Sequence, residues 1–450
     1  VHIDHNPLLG KLGDAGCHVD LEKQRAWITG SLVDESLASA PSRAELWDLA
    51  GDACSILEGD AVHFTPGSTA VKLLDERERV MRRATVDDVL RYCRLVEQLP
   101  HIDFSSTALV PDDVPDQIGD SVRLYALLKL TGKPIVTGAF TVGGMDVMLD
   151  LQLAVRGTRE ELAAKPFAMF SCAPTSPLKW SHPIADNLKV CAEHCIPAEL
   201  IAMPLAGLAA PVTLEGALIQ HTAEALSGVV ISQISRPGAP VVYGGSAGTM
   251  DMRTMTSALA SLEVQMISCA YAEIGKHLGL PTQAYVGLSD SKRLDAQAGF
   301  ESGTGAYLAA LSGINSVSGP GMLCFENCLS LEKLLFDNEL CGFAKRLKRG
   351  IEAQDAGDLP GVFEELIREE TLIGSDHTAR HFRDEHYMPG PTIDRRGGDD
   401  VPPADLVDRA LTEVDDRVST YTPPSVIGED QIREMEAVMQ RAAGDYQLTF

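Results

Sequence analysis

Ser312-Gly313-Ile314-Asn315-Ser316-Val317-Ser318-Gly319-Pro320-Gly321-Met322 is a run of small and β-branched residues that enters a Gly-Pro-Gly turn. Its length and apolar character read as a buried strand. A polar loop follows, Cys324-Phe325-Glu326-Asn327-Cys328, and after Ser330 apolar residues recur at 331, 334, 335, 340, 344 and 347. That spacing is the one face of an amphipathic helix. Lys345, Arg346, Lys348 and Arg349 crowd its last turn, where cations suit the helix dipole, and Gly350 is a natural stop. Strand, loop and helix make one βα unit. A barrel built of such units carries its active site on the loops that follow the strands, which makes 319–328 the first candidate site.

Upstream, similar units recur. Strands are predicted at 101–106, 135–138, 167–172, 199–203, 229–234, 241–245 and 283–287. The helices between and around them fall at 86–99, 118–130, 146–164, 184–195, 213–226, 254–278 and 295–311. Only the link from 234 to 241 is too short for a helix. Eight apolar runs alternating with helices imply a parallel sheet buried on both faces. An open doubly wound sheet would need a Gly-rich phosphate turn after an early strand, and Gly143-Gly144 does not meet that spacing. The expectation is therefore an α/β fold, a (β/α)8 TIM barrel over 85–350. An N-terminal α/β extension, 1–84, packs on it, and a C-terminal helical extension spans 351–450. Within the first, short strands are read at 26–29 and 61–65, short helices at 36–40 and 43–49, and a hairpin at 71–83. Within the last, helices are read at 361–370, 404–418 and 429–443, with a Gly/Pro-rich charged link at 389–403. The segment 376–387, dense in ionisable groups, is either a cover for the barrel mouth or a solvated helix.

The 450 residues carry a formal charge of −26, which argues against nucleic acid and anionic membrane surfaces as partners. No run of about 18 apolar residues occurs, so a soluble protein is expected. Ten cysteines without a CxxC pair point to reduced thiols and a cytoplasmic setting. Cys191-Ala192-Glu193-His194-Cys195 matches no standard zinc spacing, and no metal is expected there. The lack of a convincing HxH or HxxE ligand spacing likewise counts against a metal-dependent hydrolase or lyase.

Several stretches carry a family resemblance. They are His63-Phe64-Thr65-Pro66-Gly67, Leu99-Pro100-His101-Ile102-Asp103-Phe104, Gly244-Gly245-Ser246, Asp251-Met252-Arg253-Thr254, Asp290-Ser291-Lys292, Gly319-Pro320-Gly321-Met322-Leu323 and His381-Phe382-Arg383-Asp384-Glu385. In this order they resemble the trimethylamine methyltransferase family of corrinoid-dependent methyltransferases, in the branch without pyrrolysine. The resemblance implies a barrel fold and transfer of a methyl group to the Co(I) corrinoid of a separate corrinoid protein. No cofactor would be tightly bound by this chain itself, cobalamin being carried by the partner, and a homo-oligomer is expected. Trimethylamine-using members carry pyrrolysine after the eighth strand. Only standard residues stand here, which directs the expectation to a small quaternary amine such as glycine betaine.

A quaternary ammonium releases its methyl group as it becomes a neutral tertiary amine, so no acid is needed at nitrogen. The cation must be held, desolvated and aimed. Aromatic faces do this, with carboxylates as the alternative. The candidates for binding are Phe325 and Tyr243 first, then Phe104, Phe140, Phe170 and Tyr285, all near predicted strand ends. Glu326 and Asp290 are the candidate catalytic carboxylates. A betaine carboxylate needs a cation, and Arg236 fits by position after the strand predicted at 229–234, with Gln233 and His386 assisting. Gly245, Gly319 and Gly321 would let backbone amides approach a ligand. The rival expectation is a catalytically altered barrel that binds a methylated amine or sulfonium without turnover.

Overall fold

The apolar runs form parallel strands in the computed structural model, which describes residues 1–353, 359–396, 404–444 and 446. Eight strands matter for the site: β1 His63–Thr65, β2 Ser105–Ser106, β3 Ile135–Thr137, β4 Ala168–Cys172, β5 Ala198–Ala202, β6 Val241–Gly245, β7 Gln283–Tyr285 and β8 Ser316–Ser318. One parallel sheet runs β6-β5-β4-β3-β2 and a second runs β7-β8-β1. A single parallel bridge, Tyr243 to Thr282, links β6 to the start of β7. On the other side, the amides of Asp103 and Phe104 donate to the Phe64 carbonyl, joining β1 to the segment before β2. The result is a mixed α/β fold with helices outside the strands. Among the described residues, no helix is long and apolar enough to cross a membrane.

The strand predicted at 229–234 does not exist. Leu214–Ser235 is one helix, and the remaining parallel strand comes from β1, inside the N-terminal 84 residues. The β-branched run Val229-Val230-Ile231 suits a strand, but it is buried as part of the helix. Gly228, between the predicted helix and the predicted strand, makes no break in it. Instead it lets the helix approach β5, since a Cβ there would lie 2.8 Å from Leu200 Cδ2 and 3.0 Å from Trp180 Cζ2. Two further expectations fail for related reasons. Residues 43–49 are not helical: Ala44–Trp47 pairs antiparallel with Cys54–Leu57. The helix predicted from 254 starts at Leu262, because Gly248–Asp251 and Thr256–Ala258 form a hairpin first, turned at Asp251-Met252-Arg253-Thr254.

The hairpin of residues 44–57 packs at the end of the strands opposite the candidate loops. Ala44, Leu46 and Leu57 cluster there with Phe104, Val136, Met169 and Val242. In the tail, Leu359–Glu369, Asp376–Glu385, Leu406–Thr420 and Glu429–Ala443 are helices. The third packs on Leu331–Arg349 and Val86–Glu97, and the fourth on Gly144–Arg156 and Gly119–Leu130. Asp376–Glu385 buries none of its residues, which agrees with a solvated helix. The link expected at 389–403 falls partly outside the described residues.

Candidate active site

The loop after β8 is built from an unusual backbone. Cys324, Phe325 and Glu326 have φ of 53°, 58° and 64°, three consecutive non-glycine residues in the left-handed region. Each costs about 1–2 kcal/mol relative to an ordinary conformation. Asn327 closes the turn: its amide donates to the Cys324 carbonyl, and its side-chain nitrogen donates to the carbonyls of Cys324 and Phe325. The short strands Met322–Leu323 and Cys328–Leu329 pair on either side of it. This turn puts Phe325, Glu326 and Asn327 at the wall of a cavity of about 260 Å³.

The other walls come from segments that follow the strands. Ser68 and Thr69 follow β1, Phe140 follows β3, and Ser171 and Ala173 lie at the end of β4. Ile201 and Met203 end β5, Ser246 follows β6, Leu259 precedes the helix after β6, and Tyr285 ends β7. A wider cleft of about 640 Å³ between Val86–Glu97 and Leu406–Thr420 is lined by Arg91, Arg94 and Asp415, among others. None of its lining residues follows a parallel strand, and the smaller cavity is the better site.

Two carboxyls are perturbed, Glu326 on the wall and Glu199 behind it. Burial pushes the Glu326 carboxyl up to about 8, and the negative charge of Glu199 adds to that, while the Ser68 amide works against it. The residue keeps partial exposure, but its acid group is desolvated. Glu199, on β5, is fully buried; burial pushes it up to about 7, opposed by a hydrogen bond from Ser171 Oγ at 2.5 Å. Its Oε2 has no hydrogen-bond partner among the described residues. Ser171 and Glu199 are register partners across β4 and β5, so the two point to the same side of the sheet. Tyr285 Oη lies 2.8 Å from Ser68 Oγ, and its hydroxyl is held well above the usual tyrosine value by burial, then by Glu326 and Glu199.

Phe140, Tyr285, Phe325 and Glu326 are thus brought to one cavity. The other predicted residues are not. Phe104 belongs to the apolar layer at the opposite end, where His63 stacks on it at 5.2 Å, and Phe170 is in the main core. Tyr243 turns toward the surrounding helix and donates to Thr222 Oγ1. Gly245 is required by that same helix, because a Cβ would lie 2.3 Å from His221 Nε2. Gly319 passes close to the backbone of Gly287 and Leu288, and the Gly321 amide donates to Asp337, so both shape the chain. Asp290 is buried and accepts hydrogen bonds from the amides of Leu259 and Ala260, which holds the Leu259 wall in place. Arg236 and Gln233 lost their premise with the strand at 229–234. They sit just before β6, at the end away from the cavity, and bond to Glu193 O and Ala239 O. His386 is exposed beyond Asp376–Glu385.

Sequence reasoning missed Glu199, Ser171 and Lys292. A lone acid in an otherwise apolar strand, Glu199-Leu200-Ile201-Ala202, was the available signal for the first. Lys292 Nζ stands 3.9 Å from the centroid of the Phe325 ring. Among the described residues, no three His, Cys, Asp or Glu side chains are grouped to hold a metal ion.

Residues 1–443 match the family described as trimethylamine methyltransferase (MTTB). The chain belongs to that family. Among curated relatives, a trimethylamine methyltransferase of Methanosarcina barkeri is 32% identical over 455 residues, covering 95% of this chain and 87% of its own. One of Desulfitobacterium hafniense is 28% identical, covering 94% and 85%. A glycine betaine methyltransferase of the same species is 26% identical, covering 98% and 92%. The fold resembles that of the Methanosarcina barkeri monomethylamine methyltransferase, with a TM-score of 0.51 at 10% identity over 99% of this chain and 87% of that one. Membership makes the chain a methyltransferase.

Proposed function

We propose that this enzyme takes a methyl group from a small quaternary amine and passes it to the Co(I) of a corrinoid carried by a partner protein. The observation that carries the reading is the cavity itself. It joins three aromatic side chains, Phe140, Tyr285 and Phe325, to a desolvated carboxyl at Glu326, at the ends of parallel strands. A relative in the family is a glycine betaine methyltransferase, which supports a quaternary donor. A space of about 260 Å³ fits a small amine and not a corrin ring, which supports a macrocycle held by another protein and presented at the mouth. Exposed Val142, Leu208, Met252 and Met255, on the loops after β3, β5 and β6, supply an apolar rim for that contact.

In this reading the two parallel sheets are one (β/α)8 barrel. Residues 1–84 contribute β1 and an end closure, 85–350 the other seven strands, and 351–450 the outer helices. The aromatic faces and Glu326 hold the ammonium and exclude water from it. The chemistry supplied by the corrinoid is a nucleophile that accepts the methyl group. As the carbon–nitrogen bond breaks, its electron pair stays on nitrogen, and the donor leaves as a neutral tertiary amine. The cation that Glu326 favoured is then gone, which favours release. All ten cysteines are unpaired, which supports a reducing cytoplasmic setting. Exposed Ile219, Met266 and Phe300 on outer helices support self-association.

The test mixes enzyme, cob(I)alamin and glycine betaine, proline betaine, carnitine or trimethylamine, and follows methylcobalamin by absorbance. A quaternary compound should react. Reaction of trimethylamine alone would refute the donor class, and binding without any transfer would leave the rival, non-catalytic reading standing.

A further inference from the structure

We infer that Lys292 sets the specificity of this site: it selects zwitterionic donors by receiving their carboxylate and disfavours plain cations. This rests on the proposed quaternary-amine reading and deepens it. Among the described residues that line the cavity there is no Lys, Arg or His, and the one charged side chain is Glu326. A betaine carboxylate therefore finds no cation on the walls themselves. The ammonium of Lys292 is the neighbouring one. It stands 3.9 Å from the centroid of Phe325 and donates to the Asp290 carbonyl at 2.7 Å. Phe325 lines the cavity, and Asp290 holds Leu259, which lines it too. Lys292 is thus flanked by two walls of the site. It is exposed and forms no ion pair among the described residues, and its flexible stem is free to redirect the charge.

The sign of its effect depends on the ligand. An ammonium already on the Phe325 face repels a second cation that seeks the same ring. A tetraalkylammonium without an anionic group meets only that repulsion. A betaine brings a carboxylate that pairs with Lys292 and draws it off the ring, so one residue opposes the first ligand and attracts the second. The role assigned to Arg236 from the sequence passes to this lysine. A residue that merely propped up the loop would move both affinities in the same direction.

The experiment is calorimetric binding of glycine betaine and tetramethylammonium to the full chain, wild type and Lys292→Met, with no corrinoid present. Lys292→Met should weaken glycine betaine on the order of tenfold, the worth of one charge-assisted hydrogen bond, and should tighten tetramethylammonium. Lys292→Arg should keep the wild-type preference. Parallel losses for both ligands, or an unchanged ratio, would overturn the inference while leaving the functional reading intact. Wild-type protein that binds neither ligand would overturn both.

Discussion

Replacing Glu326 with Gln should abolish most of the pH dependence of ligand binding. With its carboxyl pushed up to about 8 in the empty site, about one Glu326 in eleven is ionised at pH 7 and about ten in eleven at pH 9. If a quaternary cation binds the ionised form, its apparent affinity scales with that fraction and rises about tenfold across this interval. Glu199, pushed up to about 7, is already half ionised at the start and contributes about twofold at most. Binding at pH 7 should also release about 0.9 proton per ligand, because the bound cation stabilises the carboxylate. Calorimetry of tetramethylammonium binding in two buffers of different ionisation enthalpy reads both quantities. Glu326→Gln should retain no more than the twofold change and release little proton. An affinity flat from pH 7 to 9 in the wild type, or a tenfold rise that survives in Glu326→Gln, would refute the reasoning.

Glu199 ties the same chemistry to folding. Its folded pKa is raised from 4.5 to about 7, so the unfolded chain loses the proton first. The stabilisation is complete below about pH 4.5 and disappears as pH rises through about 7; urea unfolding at pH 5 and 8 should show a smaller difference in Glu199→Gln than in wild type. Gly305→Ala would place a Cβ 1.7 Å from the Val286 carbonyl oxygen. It should cost more than ~2 kcal/mol or leave no soluble protein, whereas Gly10→Ala, with nothing within 4 Å, should stabilise its helix by about 0.5–1 kcal/mol. Cys324→Val, a β-branched residue at φ 53°, should lower stability by more than ~1 kcal/mol in urea unfolding, and Cys324→Gly should stay within about 0.5 kcal/mol of wild type.

Most parallel strands were legible because each is a short apolar run bounded by glycine, proline or a cap: 135–137, 168–172, 198–202, 241–245, 283–285 and 316–318. The run at 229–231 was not, since a fully buried helix and a fully buried strand look alike over so few residues, and Gly228 reads as a break unless the neighbouring Leu200 and Trp180 are visible. Counting that run as a strand hid the role of His63–Thr65 and put Arg236 and Gln233 at the wrong end. For the site, position after a strand was enough to bring forward Phe140, Tyr285, Phe325 and Glu326. It could not separate them from Tyr243, because alternation in a strand buried on both faces does not say which side is interior. Glu199 stayed hidden for that reason, and Lys292 because its meaning lies in one contact with a ring 33 positions later.

The pairing of β1 with β8 joins residues made roughly 250 positions apart. A ribosome adding about 5–20 residues per second needs on the order of 10–50 seconds to cover that distance. Throughout that time His63–Thr65 has left the exit tunnel without the neighbour that will complete its hydrogen bonding. The first strand of the sheet to be synthesised is therefore among the last to gain its full set of partners. Drugs or rare codons that slow translation between residues 65 and 316 lengthen the period in which this edge is open to chaperones or to another nascent chain.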